Sequence, residues 1–183
     1  MKKLQSKLFL TGFLLFVVNF VFSQKLICRD GQVKFLASVP NAVEEVSATN
    51  NSVSAVLDVK TNDVAAQALI KSFKFKIPLM EEHFNENYLE SDNFPKAVFK
   101  GKILNFDTSK ITSTKSNYTV EGDFTMHGVT KHIKITAAIS KSNNKINVNS
   151  SFTIKAQDYN IKIPSLVKQK VTDDIKIWVN FNF

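Results

Sequence analysis

Residues 118–139, YTVEGDFTMHGVTKHIKITAAI, constrain the fold more than any other stretch. Tyr118, Val120, Gly122, Phe124 and Met126 alternate with Thr119, Glu121, Asp123 and Thr125, which is the period of a half-buried strand. Past His127-Gly128 the alternation resumes, with Val129, Lys131, Ile133, Ile135, Ala137 and Ile139 set against Thr130, His132, Lys134 and Thr136. A two-residue loop puts Met126 opposite Val129, so both apolar rows fall on one face. Such loops need positive φ, which Gly128 takes freely and His127 tolerates. The pattern predicts an antiparallel hairpin with one apolar and one wet face.

The same period recurs along the chain. Val33, Phe35, Ala37 and Val39 mark a strand, with a shorter one over 26–28 ahead of an Arg29-Asp30-Gly31 turn. Val53, Ala55, Leu57 and Val59 make the next, closed by Thr61-Asn62-Asp63. Residues 66–76 permit a helix by composition, but Phe73 and Phe75 flanking Lys74 favour a strand. Residues 79–88 predict the one helix: Met80, Phe84 and Tyr88 share a face near Leu79, Glu81 and Glu82 suit the first turn, and Pro78 suits the start. Further strands run through Ala97, Phe99, Gly101 and Ile103, through Ile146, Val148, Phe152 and Ile154, and through Ile175, Ile177, Val179, Phe181 and Phe183. Residues 158–170, with Pro164, read as an irregular or short helical connection. About eight antiparallel strands and one short helix, without βαβ alternation or internal repeat, predict an all-β barrel or sandwich. Runs of roughly 9–11 residues at ~3.3 Å each make it tall.

Residues 1–23 stand apart. Lys2, Lys3 and Lys7 precede an apolar run over 8–22, and Val21-Phe22-Ser23 supplies a small residue for cleavage, as in an export signal. The run is about 15 residues, short of the ~20 a spanning helix needs. Cys28 lacks the small residue before it that lipid-attachment sites have, so a lipoprotein is not expected. The predicted organisation is a signal peptide over 1–23 and one domain over 24–183, periplasmic or extracellular after cleavage. Without the three leader lysines the net charge falls from +8 to +5. A single cysteine makes no internal disulfide, so the core alone must hold the exported fold.

The runs PLMEEHFNENYLESDNFPKAVFKGKI, YTVEGDFTMHGVTKHIKI and DYNIKIPSLV resemble the bacterial YceI-like family, over most of the chain from about Gln32 to Phe183. The most specific pieces are His83-Phe84 with Pro95, and Gly122 to Lys131 with its HGVTK turn. The resemblance implies an elongated, lipocalin-like antiparallel barrel whose hydrophobic tunnel binds isoprenoid-type lipids, and export to the periplasm in many members. One stretch departs from the pattern. Where many members have an Arg before an Asp-Phe-Gly-like segment, this chain has Lys155-Ala156-Gln157-Asp158-Tyr159-Asn160.

The side chains point away from catalysis. His83, His127 and His132 are placed on a helix, in a turn and on a polar strand face, which does not predict the three or four converging ligands of a metal site. Cys28 has no nearby histidine in sequence and no nucleophile elbow is present. Neither enzyme activity, a metal nor a cofactor is expected. Nucleic-acid binding of the kind that stacks bases on aromatics amid lysines needs both on one face. Here Lys100, Lys102, Lys155 and Lys176 alternate with Phe99, Phe152 and Phe181, so no nucleic-acid partner is expected.

An apolar ligand site remains. A packed core would be as apolar as the inward rows, but three features favour a cavity. Eight strands enclose room for side chains or for one small ligand. Gly101 and Gly122 remove side-chain volume from apolar rows. The face of Met80, Phe84 and Tyr88, with Leu79, forms an apolar lid. The candidate ligand-binding residues are Phe35, Phe73 and Phe75 from the first half, Met80 and Phe84 on the helix, and Phe99 and Ile103 beyond it. The hairpin adds Phe124, Met126, Lys131 and Ile133, and the last strands add Phe152, Ile154, Ile177 and Phe181. Lys131, the one charge in the inward hairpin row, is either a rim lysine reaching water or a counter-charge for a polar head group. Trp178 sits in the polar row, packed under a connection or in a subunit contact. The expected partner is a hydrophobic, isoprenoid-type lipid, with room for peripheral membrane contact and for a homodimer.

Overall fold

The computed structural model describes residues 25–183, so the expected signal peptide lies outside the described residues. The chain forms β1 (Lys25–Ser38), β2 (Ser47–Asp58), β3 (Asp63–Leu69), β4 (Lys74–Phe75), α1 (Pro78–His83), β5 (Lys96–Ile103), β6 (Ser116–Met126), β7 (Val129–Ser142), β8 (Lys145–Lys155) and β9 (Val171–Asn182). The sheet runs β1-β9-β8-β7-β6-β5-β3-β2, and pairing of β1 with β2 closes it into an eight-stranded antiparallel barrel. The two-residue β4 lies outside this circuit, paired to the start of β2 at Ala48 and Thr49.

The β6–β7 hairpin has the predicted register, Met126 opposite Val129 and Phe124 opposite Lys131. His127 (φ 49) and Gly128 (φ 73) both take left-handed geometry, as a two-residue hairpin turn requires. Elsewhere the structure departs from the simple reading. Arg29-Asp30-Gly31 is no turn: β1 runs through it with a bulge where pairing to β2 shifts between Cys28 and Val33. Gly31 lies against the ring of Phe181, and a Cβ there would collide with it. The ambiguous residues after 66 become the end of β3, a 3-10 turn over Ile70–Ser72, and β4. The predicted helix is α-helical only to His83 and widens into a π-turn over Phe84–Tyr88.

The glycine reading is corrected. Gly101 of β5 and Gly122 of β6 are direct cross-strand partners. A Cβ on Gly122 would strike the carbonyl oxygen of Lys100 and the Cα of Gly101, and one on Gly101 would strike the carbonyl oxygen of Glu121. The pair lets two backbones touch. It does not open space in the interior.

The two ends of the barrel differ. At one end, the 59–62 and 143–144 turns and the 104–115 connection close over a packed core with Cys28, Leu57, Ile103 and Ile139 buried. At the other end lie the 39–46 loop, the 70–95 segment with α1, the hairpin turn, and the 156–170 connection.

Candidate ligand cavity

The inward rows of the strands do not meet at this second end. They enclose a cavity of about 420 Å³ with almost wholly apolar walls, within the ~300–1,000 Å³ usual for small-molecule sites. Phe35, Phe99, Phe124, Ile133, Ile135 and Phe152 point inward yet stay only half-buried, because they face the cavity instead of other side chains. The exposed lining residues Glu44, Gln67, His83 and Lys170 mark the mouth.

One wall is aromatic. Phe84, at the start of the π-turn, stacks on Phe35 with centroids 5.3 Å apart and meets Phe75 at 5.1 Å and Phe73 at 5.8 Å. Such pairs add about 0.5–1.5 kcal/mol each beyond the area they bury. The helix is tied to the barrel from outside as well: Glu81 accepts a hydrogen bond from Lys74 Nζ at 2.6 Å and one from the Phe75 backbone N–H at 3.2 Å. The Lys74 bond is the main reason the Glu81 carboxyl sits below the usual carboxylate range. Met80, Phe84 and Tyr88 face the cavity as predicted from their spacing, but Leu79 is 56% exposed and turned outward.

Fourteen of the fifteen candidate residues line the cavity: Phe35, Phe73, Phe75, Met80, Phe84, Phe99, Ile103, Phe124, Met126, Ile133, Phe152, Ile154, Ile177 and Phe181. Lys131 does not. It occupies the inward row, but it is exposed two residues beyond the turn. Lys170, from the last connection, is the cation that lines the cavity. Sequence reasoning missed the walls supplied by irregular segments: Val46 from the first loop, Leu89 after the π-turn, and Ile161, Ile163 and Val167 from the 156–170 connection. The apolar pair Ile161 and Ile163 flanking Lys162 was the available signal.

The hairpin turn fastens the segments around this end. His127 Nδ1–H donates to the carbonyl oxygen of Tyr159 at 2.9 Å, its ring packs edge-on to Phe94 at 4.6 Å, and Nε2 lies 3.4 Å from a Glu90 carboxylate oxygen. A Cβ on Gly128 would also crowd the Phe94 ring, at 2.8 Å. The HGVTK turn and the residues before Pro95, distant in sequence, thus meet in space. Of the other histidines, His83 is exposed at the mouth and His132 is an exposed partner of Asp123 at 2.9 Å. No cluster of three or more metal-ligating side chains occurs among the described residues.

The departing segment, residues 155–160, folds as a 3-10 turn at the end of β8. Lys155 pairs with Asp174 at 2.8 Å, and Asn160 takes left-handed φ of 58 after the Ala156–Tyr159 turn. Tyr159 is buried beneath it, edge-on to Phe124 at 5.5 Å. Burial, and then the neighbouring Asp158 charge, pushes its phenol up to about 12 from 10.0. Between those values the unfolded chain loses the phenol proton while the folded one keeps it, so stability falls as pH rises. Wild type is expected to lose more melting temperature than Tyr159→Phe between pH 10 and 12. Equal losses would show that Tyr159 does not contribute.

On the outer face, Lys100, Lys102, Lys155 and Lys176 are exposed, away from the inward phenylalanines. Trp178 is half-buried there, with Lys176 Nζ 4.9 Å and Lys34 Nζ 5.8 Å from its ring centre.

Comparison with known proteins agrees with this architecture. No curated protein matches the sequence. A polyisoprenoid binding domain from Saccharophagus degradans, implicated in plant cell wall breakdown, superposes with a TM-score of 0.72 at 14% identity, over 86% of this chain and 97% of that one. BcnA of Burkholderia cenocepacia gives 0.68 at 14% identity, over 84% and 96%. The YceI protein of Campylobacter jejuni gives 0.55 at 17% identity, over 100% and 98%. At these identities the likeness is one of fold. Residues 28–183 match the family model of the YceI-like domain, and the chain belongs to that family.

Proposed function

We propose that this is an exported binding protein that sequesters or carries a hydrophobic, isoprenoid-type lipid in the barrel interior without changing it chemically. The observation that carries the reading is the apolar cavity of about 420 Å³. Each methylene moved from water into such walls is worth about 0.8 kcal/mol, so an extended hydrocarbon chain is the ligand class they reward. The description of the Saccharophagus domain as polyisoprenoid binding points the same way. Aromatic rings and methionine at the helix conform to a flexible chain. The partners this reading needs are the lipid and the membrane that supplies it. The cavity speaks against the alternative, a solid barrel of the cell envelope serving only surface contacts.

Mass spectrometry of an organic extract of protein gently purified from its native host is expected to find an isoprenoid chain near one per protein. Absence of any lipid, together with failure to take up an apolar fluorescent probe, would leave the surface-contact reading. Export is tested separately. The intact mass of the same sample is expected to correspond to a chain beginning at or within two residues of Gln24. A full-length chain retained in the membrane would overturn that part.

A further inference from the structure

Three of the exposed large hydrophobic side chains stand around the cavity mouth on three different segments. Val43 is fully exposed on the first loop, beside the lining residue Glu44. Leu79 precedes the lining residue Met80 on α1, and Leu166, 86% exposed, precedes Val167 on the last connection. A fourth, Leu69, ends β3 at the same end, and Ile27 alone lies toward the other. Three segments that supply lining residues to the cavity therefore also turn an apolar side chain outward at the rim.

The charges beside them are uneven. Residues 160–170, NIKIPSLVKQK, hold Lys162, Lys168 and Lys170 and no acid. All three are exposed, and none has an ion-pair partner among the described residues. On the neighbouring segments Glu45 is held by Lys34 and Glu81 by Lys74, Glu90 faces only His127, and Lys76, Glu44, Glu82, Glu86 and Asp158 are unpaired. The positive excess is thus concentrated around Leu166.

We infer that the cavity end of the barrel docks on a lipid bilayer bearing anionic headgroups, with the 160–170 connection facing the membrane and Val43, Leu79 and Leu166 entering the headgroup layer. This rests on the lipid-carrier reading for its purpose, but not for its physics. Separate apolar tips ringed by lysines suit the boundary between headgroups and acyl chains. A second copy of this chain suits the face poorly, because a two-fold contact would set the same lysines against one another. Docked this way, the mouth opens toward the acyl chains, and a lipid tail passes between bilayer and barrel without crossing water.

The test is co-sedimentation of the purified protein with vesicles of phosphatidylcholine containing one quarter phosphatidylglycerol, beside vesicles of phosphatidylcholine alone. Binding is expected to the anionic vesicles, and to weaken with salt. Each lysine near such a surface contributes about fivefold, so Lys162→Gln with Lys168→Gln should weaken binding roughly 25-fold. Val43→Ser with Leu166→Ser should also release the protein. Neither pair lines the cavity, so melting temperature and uptake of an apolar fluorescent probe from solution are expected to stay at wild-type values. No vesicle binding, equal binding to neutral vesicles, or variants that bind as wild type would overturn the proposal. A dimer that Leu166→Ser dissociates, without vesicle binding, would assign the face to a second copy instead. The two readings fail separately: lipid-loaded protein that ignores vesicles removes the docking, and vesicle binding by protein that never carries lipid removes the cargo.

Discussion

Replacing Phe124 with aspartate is expected to lower the melting temperature by about 10 °C, whereas Thr125→Asp, one residue along, should cost no more than about 4 °C. Phe124 lines the cavity and packs its ring against buried Tyr159 at 5.5 Å. The variant loses that packing and leaves a carboxylate against apolar walls with no partner, together about 3 kcal/mol or more. For a domain of this size each kilocalorie moves the midpoint by roughly 2–4 °C. Thr125 faces outward and gives up only the exposed hydroxyl contact with Thr130 at 2.8 Å, a loss of about 0.5–1 kcal/mol. Phe124→Asp should also lose bound lipid. Thermal melts of the two variants with similar losses would show that the inward and outward rows are wrongly assigned.

Gly122→Ala is expected to destabilise by about 1–3 kcal/mol, and Gly122→Leu to prevent folding. The added Cβ meets the Lys100 carbonyl and the Gly101 Cα across the β5–β6 contact, both backbone atoms that cannot rotate away. The loss should be the same with and without lipid, because the substituted atom enters the sheet and not the cavity. Denaturant unfolding of lipid-free protein reads it directly. A Gly122→Ala variant as stable as wild type would mean that the two strands do not approach as described.

These two sites also show where the sequence was informative and where it was not. The hairpin was legible because alternation and a tight turn determine register together: Met126 opposite Val129 follows from a two-residue loop alone. Alternation reports the face of a strand, however, and not depth along the barrel. Lys131 obeys the inward period and pairs with the cavity-lining Phe124, yet it is exposed, so its row told nothing of its surroundings. Gly101 and Gly122 are 21 positions apart, and only the pairing of β5 with β6 reveals that each exists for the other. Arg29-Asp30-Gly31 has turn composition but bulge geometry, chosen by the Phe181 ring that packs on Gly31. The cavity floor and its aromatic residues could be read from inward rows. Its far wall could not, because Ile161, Ile163 and Val167 belong to an irregular connection with no period to follow.

Closure of the barrel by its first strand has a consequence for how the chain matures. β1 pairs with β2 on one side and with the final strand β9 on the other, Gln32 lying opposite Asn180. The ring therefore cannot shut until the whole domain has been synthesised. Contacts this distant in sequence fold slowly, which leaves an interval in which the sheet is formed but unclosed. The same wiring makes the last dozen residues indispensable. A chain clipped before β9 would present the open borders of β1 and β8 to other copies, the condition under which sheets join edge to edge and aggregate.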